Sequence, residues 1–211
     1  MTAADSSDDD ARIERVLDLW FPKKSYDAPQ IDARMDLWFG EDAERDTRLR
    51  YEFVDMIQEA SEERLNHWAT APRGRLALII LLDQFRRNIY RGTKKAFSHD
   101  KKALRLAVEG IVEGLDKQLN PLERVFFYMP LQHAESARVQ RKSVQVFRRL
   151  AQSVSETLTE TFDTFAQFAE LHCDIIEQFG RFPHRNKVLG RDNTPEEEVY
   201  LNGDAQSFGQ G

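Results

Sequence analysis

The chain has 211 residues, of which 41% are hydrophobic and 31% are charged, and its formal net charge is −6. Its 10 glycines and 7 prolines exclude the collagen-like and Pro/Gly-rich disordered classes. The single cysteine, Cys173, excludes an intramolecular disulfide and a zinc site built from cysteines. The composition therefore indicates a globular protein with a substantial core.

Two features argue against membrane insertion and secretion. The longest nearly uncharged apolar run, residues 76–82, is far shorter than the ~20 residues that cross a bilayer. Acidic residues stand near the N-terminus, where a secretory signal would be basic and then apolar: Asp5, Asp8, Asp9 and Asp10. We therefore expect a cytoplasmic protein without membrane contact.

Residues 1–10 are small, polar and acidic, and we predict a disordered leader because such a segment cannot offset the entropy of ordering. The residues that follow place apolar side chains at i, i+3, i+4 and i+7, which predicts an amphipathic helix ending near Pro22. Its apolar positions are Ile13, Val16, Leu17 and Trp20.

Helical spacing continues along the chain, and no alternating apolar run indicates a strand. The further predicted helices span residues near 35–38, 41–62, 72–91, 100–113, 121–129, 132–153, 161–178 and 195–200. We predict an all-α fold, with one helical domain over residues 11–202 built from antiparallel hairpins and a frayed tail over residues 203–211. The ~34-residue consensus of tetratricopeptide repeats is absent.

The helix over residues 72–91 is predicted to form the centre of the fold, because residues 76–82 are apolar around its full circumference. Thr70 offers a hydroxyl cap for its start, and Pro72 suits its first turn. Near the other end of the chain, Thr194 and Glu197 have the spacing of a capping box that begins a short helix.

The first of three polar clusters follows the apolar run and contains Asp83, Arg87, Asn88 and Arg91. On a helix, Asp83 shares a face with Arg87. A carboxylate at the end of a buried helix needs a donor, because burying a lone charge is costly. Asp83 therefore either pairs with Arg87 and fixes the packing, or takes part in a site.

The second cluster surrounds Pro130, where we expect the helix to end or kink because proline cannot donate a backbone hydrogen bond. His133 and Glu135 point to different sides of a regular helix, but beside a kink both can face one cavity. They are candidate general acid–base residues. The alternative is a surface histidine and a helix-capping glutamate.

The third cluster combines His172 with a loop that holds Arg181, His184, Arg185 and Asn186. His172 lies on an apolar helical stripe and points toward the core, where a hydrogen-bonded structural role competes with a role as a ligand. The loop carries several planar donors, which is more typical of a recognition surface than of a spacer.

Charge is unevenly distributed along the chain. Residues 84–105 contain eight Lys and Arg and a single acid, Asp100, for a net charge of +7, while the remainder carries −13. This segment is either an anion-binding face, or a set of cations that are solvated or paired with acidic helices. The sequence pI of about 5.5 and the few aromatic residues among the cations argue against a nucleic-acid partner.

Several motifs of known chemistry are absent, among them GxGxxG, the P-loop, GxSxG and HExxH. The histidines and the glutamate of the second and third clusters lack the i, i+3 or i+4 spacing of a metal site on one helix. We therefore predict neither a metal nor a cofactor.

Seven strings of the chain are long enough to be specific: residues 16–21, 38–40, 75–85, 87–92, 127–135, 179–186 and 189–191. They resemble the bacterial family known as domain of unknown function 924, and they extend over nearly the whole chain outside the leader and the tail. The family is similar to the tetratricopeptide-like superfamily, which implies stacked antiparallel hairpins in a right-handed arrangement. It has no established activity, so the resemblance implies no catalytic residues. Arg86 departs from the pattern, which has proline there.

Two functional hypotheses follow, and in both the three clusters converge in space. In the first, a groove binds an anionic small molecule or peptide, which Arg87, Arg181 and Arg185 grip. Its lining residues are Asp83, Arg87, Asn88, Arg91, His172, Arg181, His184, Arg185 and Asn186. In the second, His133 or Glu135 performs acid–base catalysis on an anionic substrate beside the same arginines. A purely structural role is the third hypothesis. The sequence leaves the oligomeric state open.

Overall fold

A computed structural model describes residues 3–21 and 26–203, and over these residues the chain is helical without any strand, which confirms the all-α prediction. The α-helices are α1 (Ala3–Trp20), α2 (Ala28–Phe39), α3 (Ala43–Ser61), α4 (Pro72–Ile79), α5 (Arg86–Ile89), α6 (Asp100–Glu113), α7 (Pro121–Gln132), α8 (Ala137–Ala151), α9 (Thr159–Phe179), α10 (Asn186–Leu189) and α11 (Pro195–Asn202). Short 3-10 turns join several of them, including Asn66–Thr70 and Lys94–Phe97. Within the described ranges no helix has the length and apolar character needed to cross a membrane.

The first helix begins earlier than the sequence suggested. α1 starts at Ala3, inside the segment predicted to be a disordered leader. Asp9 anchors this part of the helix, because its Oδ1 accepts a hydrogen bond from Trp68 Nε1 at 2.8 Å and its Oδ2 one from His67 Nε2 at 2.7 Å. Acidic residues near a helix N-terminus are also favoured by the helix dipole. The predicted frayed tail beyond residue 203 lies outside the described residues.

The central helix is built from three segments that follow one another without a break. α4 runs into a π-helical segment, Ile80–Phe85, which runs into α5. Residues 76–82 are all 0% exposed, so the prediction of a helix buried on every side is confirmed. Pro72 occupies the first turn as expected, but Ala71 is the N-cap residue, and Thr70 Oγ1 instead donates to the carbonyl oxygen of His67.

Aromatic rings fill the core around this helix. Trp20 contacts Phe85 and Phe126 edge-on, with ring centroids 5.4 and 5.6 Å apart, and Phe53 lies 4.9 Å from Phe85 on the other side. Such geometry favours aromatic pairs beyond the area they bury. The core thereby ties α1, α3 and α7 to the central helix.

The largest error in the predicted helices concerns Pro130. α7 continues through this proline to Gln132, so the helix does not end there. The turn between α7 and α8 comprises residues 133–136. Proline removes a single hydrogen bond, and α7 is buried along almost its whole length, so packing outweighs the loss. As a consequence, α8 begins at Ala137 rather than at the predicted residue 132.

Other boundaries agree closely with the sequence. α6 covers the same residues, 100–113, that the apolar pattern predicts. At α11, Thr194 Oγ1 accepts from Glu197 N and Glu197 Oε2 accepts from Thr194 N, so the predicted capping box is present. α7, α8 and α9 pack consecutively against one another. The tetratricopeptide-like stacking of hairpins stays a prediction.

Candidate functional site

Asp83 lies in the π-helical segment and is 0% exposed. Its Oδ1 accepts a hydrogen bond from His133 Nδ1 at 2.7 Å and lies 3.0 Å from Nη1 of Arg87, while its Oδ2 accepts from Gln84. π-helical turns are rare and are frequent at functional sites. The sequence predicted that Asp83 and Arg87, four residues apart, share one face of the helix. The contact between them confirms this prediction.

Asp100 at the start of α6 completes the pairing of Arg87. Its two carboxylate oxygens accept from Nη1 and Nη2 of Arg87, each at 2.9 Å, in the two-pronged geometry that makes such ion pairs strong. Asp100 was not among the predicted site residues. The signal was present, since an isolated acid among eight cations is the natural counter-ion for at least one of them.

Arg185 links the loop after α9 to the other two clusters. Its guanidinium lies between two rings, 4.7 Å from the centroid of Phe97 and 4.3 Å from that of Phe182. Nη1 donates to the carbonyl oxygen of His133 at 3.1 Å and lies 3.4 Å from Asp100 Oδ2. The three polar clusters therefore meet, as the sequence predicted. We call Asp83, Arg87, Asp100, His133 and Arg185 the polar cluster.

The protonation states of Asp83 and His133 follow from their surroundings. Burial raises the pKa of Asp83, but the charge of Arg87 and the hydrogen bonds from His133 and Gln84 outweigh burial and bring that pKa to about 2. Burial lowers the pKa of His133, and Arg87 lowers it further against the opposing effect of Asp83. At pH 7 the pair is thus an ionised carboxylate and a neutral imidazole.

The tautomer of His133 is fixed by this contact. An ionised carboxylate only accepts hydrogen bonds, so Nδ1 carries the proton and Nε2 is left with a lone pair. No described residue hydrogen-bonds to Nε2. The side chain of His133 is 13% exposed, whereas Asp83 beneath it is not exposed at all.

Two further buried histidines lie in this region of the fold. The ring of His172 lies 6.2 Å from that of His133, and its Nδ1 donates to the carbonyl oxygen of Phe168 at 2.7 Å. His184 packs against the ring of Phe182 at 5.5 Å. Burial lowers the pKa of His172 and of His184 to about 3 in each case, so both are neutral at pH 7. His172 points inward, as predicted.

The carboxylate of Glu135 is bound by the segment that follows α9. Its carboxylate accepts from both terminal nitrogens of Arg191, at 2.7 and 3.0 Å, and from the backbone N of Phe182 at 2.9 Å. Burial raises the pKa of Glu135, but these hydrogen bonds outweigh burial and lower it overall. Because its oxygens accept hydrogen bonds from Phe182 and Arg191, Glu135 anchors the segment that follows α9.

The remaining predicted site residues lie in separate pairings. Arg181 forms a two-pronged contact with Glu197 at 2.6 and 2.7 Å, and Asn186 donates to the same carboxylate at 3.1 Å. Arg91 pairs with Asp46 at 3.0 Å. Asn88 is buried, with an Nδ2 that no described residue hydrogen-bonds. In the described part of the chain, no group of three His, Cys, Asp or Glu residues is arranged to hold a metal ion.

Comparison with known proteins places the chain in a family. The sequence profile described as a bacterial protein of unknown function (DUF924) matches residues 16–205. The chain is also similar to a solved protein of unknown function from Agrobacterium tumefaciens, with 36% identity and a TM-score of 0.76. That match covers 90% of this chain and 97% of the other. No curated protein matches the chain.

Proposed function

The chain belongs to the bacterial family of unknown function DUF924, and we propose that its polar cluster performs general acid–base chemistry at His133. The observation that carries the proposal is the 2.7 Å contact between a fully buried carboxylate, Asp83, and the Nδ1 of a histidine whose Nε2 has no hydrogen-bond partner among the described residues. A carboxylate that orients a neutral imidazole in this way is the arrangement that makes histidine an effective base near neutral pH.

Each residue of the pair has a distinct role in this chemistry. His133 Nε2 takes a proton from water or from a hydroxyl of the substrate, and the same nitrogen returns the proton to the leaving group. Asp83 stays ionised throughout, because Arg87 holds its pKa at about 2, and its charge stabilises the imidazolium that forms. Arg185 positions His133 through the hydrogen bond to its carbonyl oxygen.

The charges around His133 favour a polar substrate without a strong negative charge. The arginines of the predicted anion grip each face a carboxylate: Arg87 faces Asp83 and Asp100, Arg185 faces Asp100, and Arg181 faces Glu197. An anion would have to displace one of these carboxylates. Internal pairing of the arginines therefore supports acid–base chemistry over an anion grip in this place.

Binding of an anionic small molecule or peptide is the second candidate, and one observation favours it. Arg185 Nε and Asn88 Nδ2 are buried donors that no described residue satisfies. Buried donors without acceptors are costly, so a ligand that supplied oxygen atoms to them would be stabilised. Replacing Arg185 with lysine would then weaken binding at least tenfold, because an ammonium cannot reproduce the planar contact.

Acylation of histidine nitrogens by diethyl pyrocarbonate, read by mass spectrometry of peptides, tests the proposal without a known substrate. We expect His133 to react at pH 7 because its Nε2 is neutral and no residue within 3–21 and 26–203 hydrogen-bonds to it. Asp83→Asn removes the carboxylate that fixes the tautomer, so it should slow acylation of His133 and leave the rate at His99 unchanged.

A panel of neutral chromogenic esters and amides extends the test to catalysis. Loss of a general base costs about 10²–10⁴-fold in rate, so His133→Gln should abolish whichever turnover the wild type shows, while His99→Gln should retain it. An unreactive His133 in the folded protein, or hydrolysis that His133→Gln leaves intact, would contradict the proposal.

A further inference from the structure

We propose that this protein has a second site, around Tyr90, that binds a multivalent oxyanion such as a phosphate group. Three cationic side chains surround the ring of this tyrosine. The guanidinium carbons of Arg50 and Arg86 lie 5.6 and 5.0 Å from the ring centroid, and Nζ of Lys95 lies 5.8 Å from it. We call Arg50, Arg86 and Lys95 the Tyr90 cation group.

Arg86 is the fixed member of this group. Its side chain is buried, at 6% exposure, and donates to the carbonyl oxygen of Lys95 and to the hydroxyls of Ser61 and Ser98. Arg50 donates to the carbonyl oxygen of Ile89. Two of the three cations are therefore held in place by neutral acceptors, so their positive charge is oriented but not neutralised.

The absence of a counter-ion distinguishes this group from its neighbours in the basic segment. Arg87, Arg91, Lys102 and Arg105 each have a carboxylate oxygen within 4.0 Å. Over residues 3–21 and 26–203, none of Arg50, Arg86 and Lys95 has one. Internal pairing thus accounts for half of the eight cations between residues 84 and 105 and leaves an excess of positive charge beside Tyr90.

Two polar groups, His99 and the hydroxyl of Tyr90, belong to the surroundings of these cations. Burial lowers the pKa of His99, and Arg86 and Lys102 lower it further. The hydroxyl of Tyr90 has no hydrogen-bond partner among the described residues, so it is available to donate to an anion. Three cations without a carboxylate oxygen within 4.0 Å among the described residues attract a multivalent anion more strongly than a monovalent carboxylate, because the Coulomb energy scales with the product of the charges.

The Tyr90 cation group is separate from the polar cluster. The 3-10 turn Lys94–Phe97 lies between them, since its Phe97 ring covers Arg87 and Arg185 whereas its Lys95 carbonyl oxygen holds Arg86. Binding at Tyr90 therefore does not depend on the role proposed for His133, and the two proposals fail independently.

Isothermal titration of the full chain with sodium pyrophosphate, at an ionic strength held constant with sodium chloride, tests the site. We expect saturable binding by the wild type and weaker binding of acetate. Loss of a charge-assisted contact changes affinity by about tenfold to a hundredfold, so Lys95→Gln should weaken pyrophosphate binding by at least tenfold. Arg50→Gln should weaken pyrophosphate binding in the same way.

Lys101→Gln is the matched control. Lys101 is an exposed lysine of the same basic segment, and within the described part of the chain it forms no ion pair and does not lie over the ring of Tyr90. It should bind pyrophosphate as the wild type does. Equal losses in Lys95→Gln and Lys101→Gln would show general attraction to a basic surface and overturn the proposal. So would the absence of saturable binding by a wild type whose thermal unfolding is cooperative.

Discussion

Residues 76–82 and residues 83–88 belong to one continuous helix, and none of them is more than 6% exposed. The first stretch is purely apolar, whereas the second contains Asp83, Arg86 and Arg87 at the same depth. The apolar half needs only neighbours of the right volume. The polar half needs specific partners. Asp83 is bound by Arg87 and by His133 just after α7, and Arg87 is also bound by Asp100 of α6. Arg86 donates to neutral oxygens of Lys95, Ser61 and Ser98.

This difference indicates where the chain carries stability and where it carries specificity. Burying a salt bridge brings little net stability, because desolvation offsets most of the attraction between the charges. The charged half of the helix therefore contributes less net stability than apolar side chains of the same volume would. Its cost is easier to understand if the polar cluster has a chemical role than if it only fixes the packing.

A charge introduced into the apolar half should have the most severe effect on folding. Ile79 is 0% exposed, and its replacement with aspartate buries a carboxylate without a cation or donor. We expect Ile79→Asp to prevent folding, visible as loss of helical circular dichroism and of a cooperative melt. Ile79→Val, which removes one methylene, should cost only about 0.5–1.5 kcal/mol. A soluble Ile79→Asp variant with undiminished helicity would show that the burial is wrong.

Removal of one charge from the polar half should be the next largest effect. Arg87→Leu leaves Asp83 and Asp100 without their main cation and should lower the free energy of unfolding by about 3–5 kcal/mol. Asp83→Leu in the same chain removes one of the stranded charges, so the double variant should lose less than the sum of the single losses. Urea denaturation gives the free energy of unfolding of the two single variants and of the double variant. If the two losses add strictly, the charges do not interact.

Acidification sharpens the comparison, because the apolar half carries no titratable side chain, whereas buried histidines lie close to the polar half. Burial holds the pKa of His172 and His184 at about 3, whereas an unfolded histidine takes up its proton near pH 6.5. Between these values the unfolded state binds more protons, so the free energy of unfolding should fall as the pH is lowered from 7. The slope should reach up to about 1.4 kcal/mol per pH unit for each histidine. His172→Gln should flatten the slope, and a profile level from pH 7 to 5 would exclude the buried neutral histidines.

Exchange of one cation for another should have the smallest effect. Arg185→Lys keeps the charge but loses the planar contacts with Phe97 and Phe182, so we expect a loss of about 1–2 kcal/mol of stability. Arg105→Lys on the exposed face of α6 should change nothing measurable. Thermal unfolding of both variants compares them directly, and similar melting temperatures would mean that stacking of the guanidinium is unimportant.

Local signals made several elements predictable. The bounds of α6 and the capping box of α11 follow from periodicity and from side chains close in sequence, and burial of residues 76–82 follows from their composition. The prediction failed where distant contacts decide. α7 passes through Pro130 because it is packed on all sides, and Asp9 holds α1 through Trp68, 59 residues away.

The polar cluster was predictable in its membership more than in its pairing. Unusual polar residues beside apolar runs pointed to Asp83, His133 and Arg185, and their convergence followed from the need of Asp83 for a donor. The sequence could not show that Glu135 binds Arg191 or that Arg181 binds Glu197, because each choice depends on the three-dimensional neighbours of several equivalent charges.

The π-helical segment makes the orientation of the downstream side chains depend on how six residues are wound. In an α-helix each residue advances the winding by about 100° and 1.5 Å. A π-helical turn closes its hydrogen bonds one residue further along the chain, so Ile80–Phe85 holds about one residue more than regular winding would. If the same residues wound as an α-helix, Arg86 and Arg87 would rotate by about the angle of one residue and leave their present neighbours, with no change in sequence. The extra residue of this segment thus sets the observed pairing of the charges.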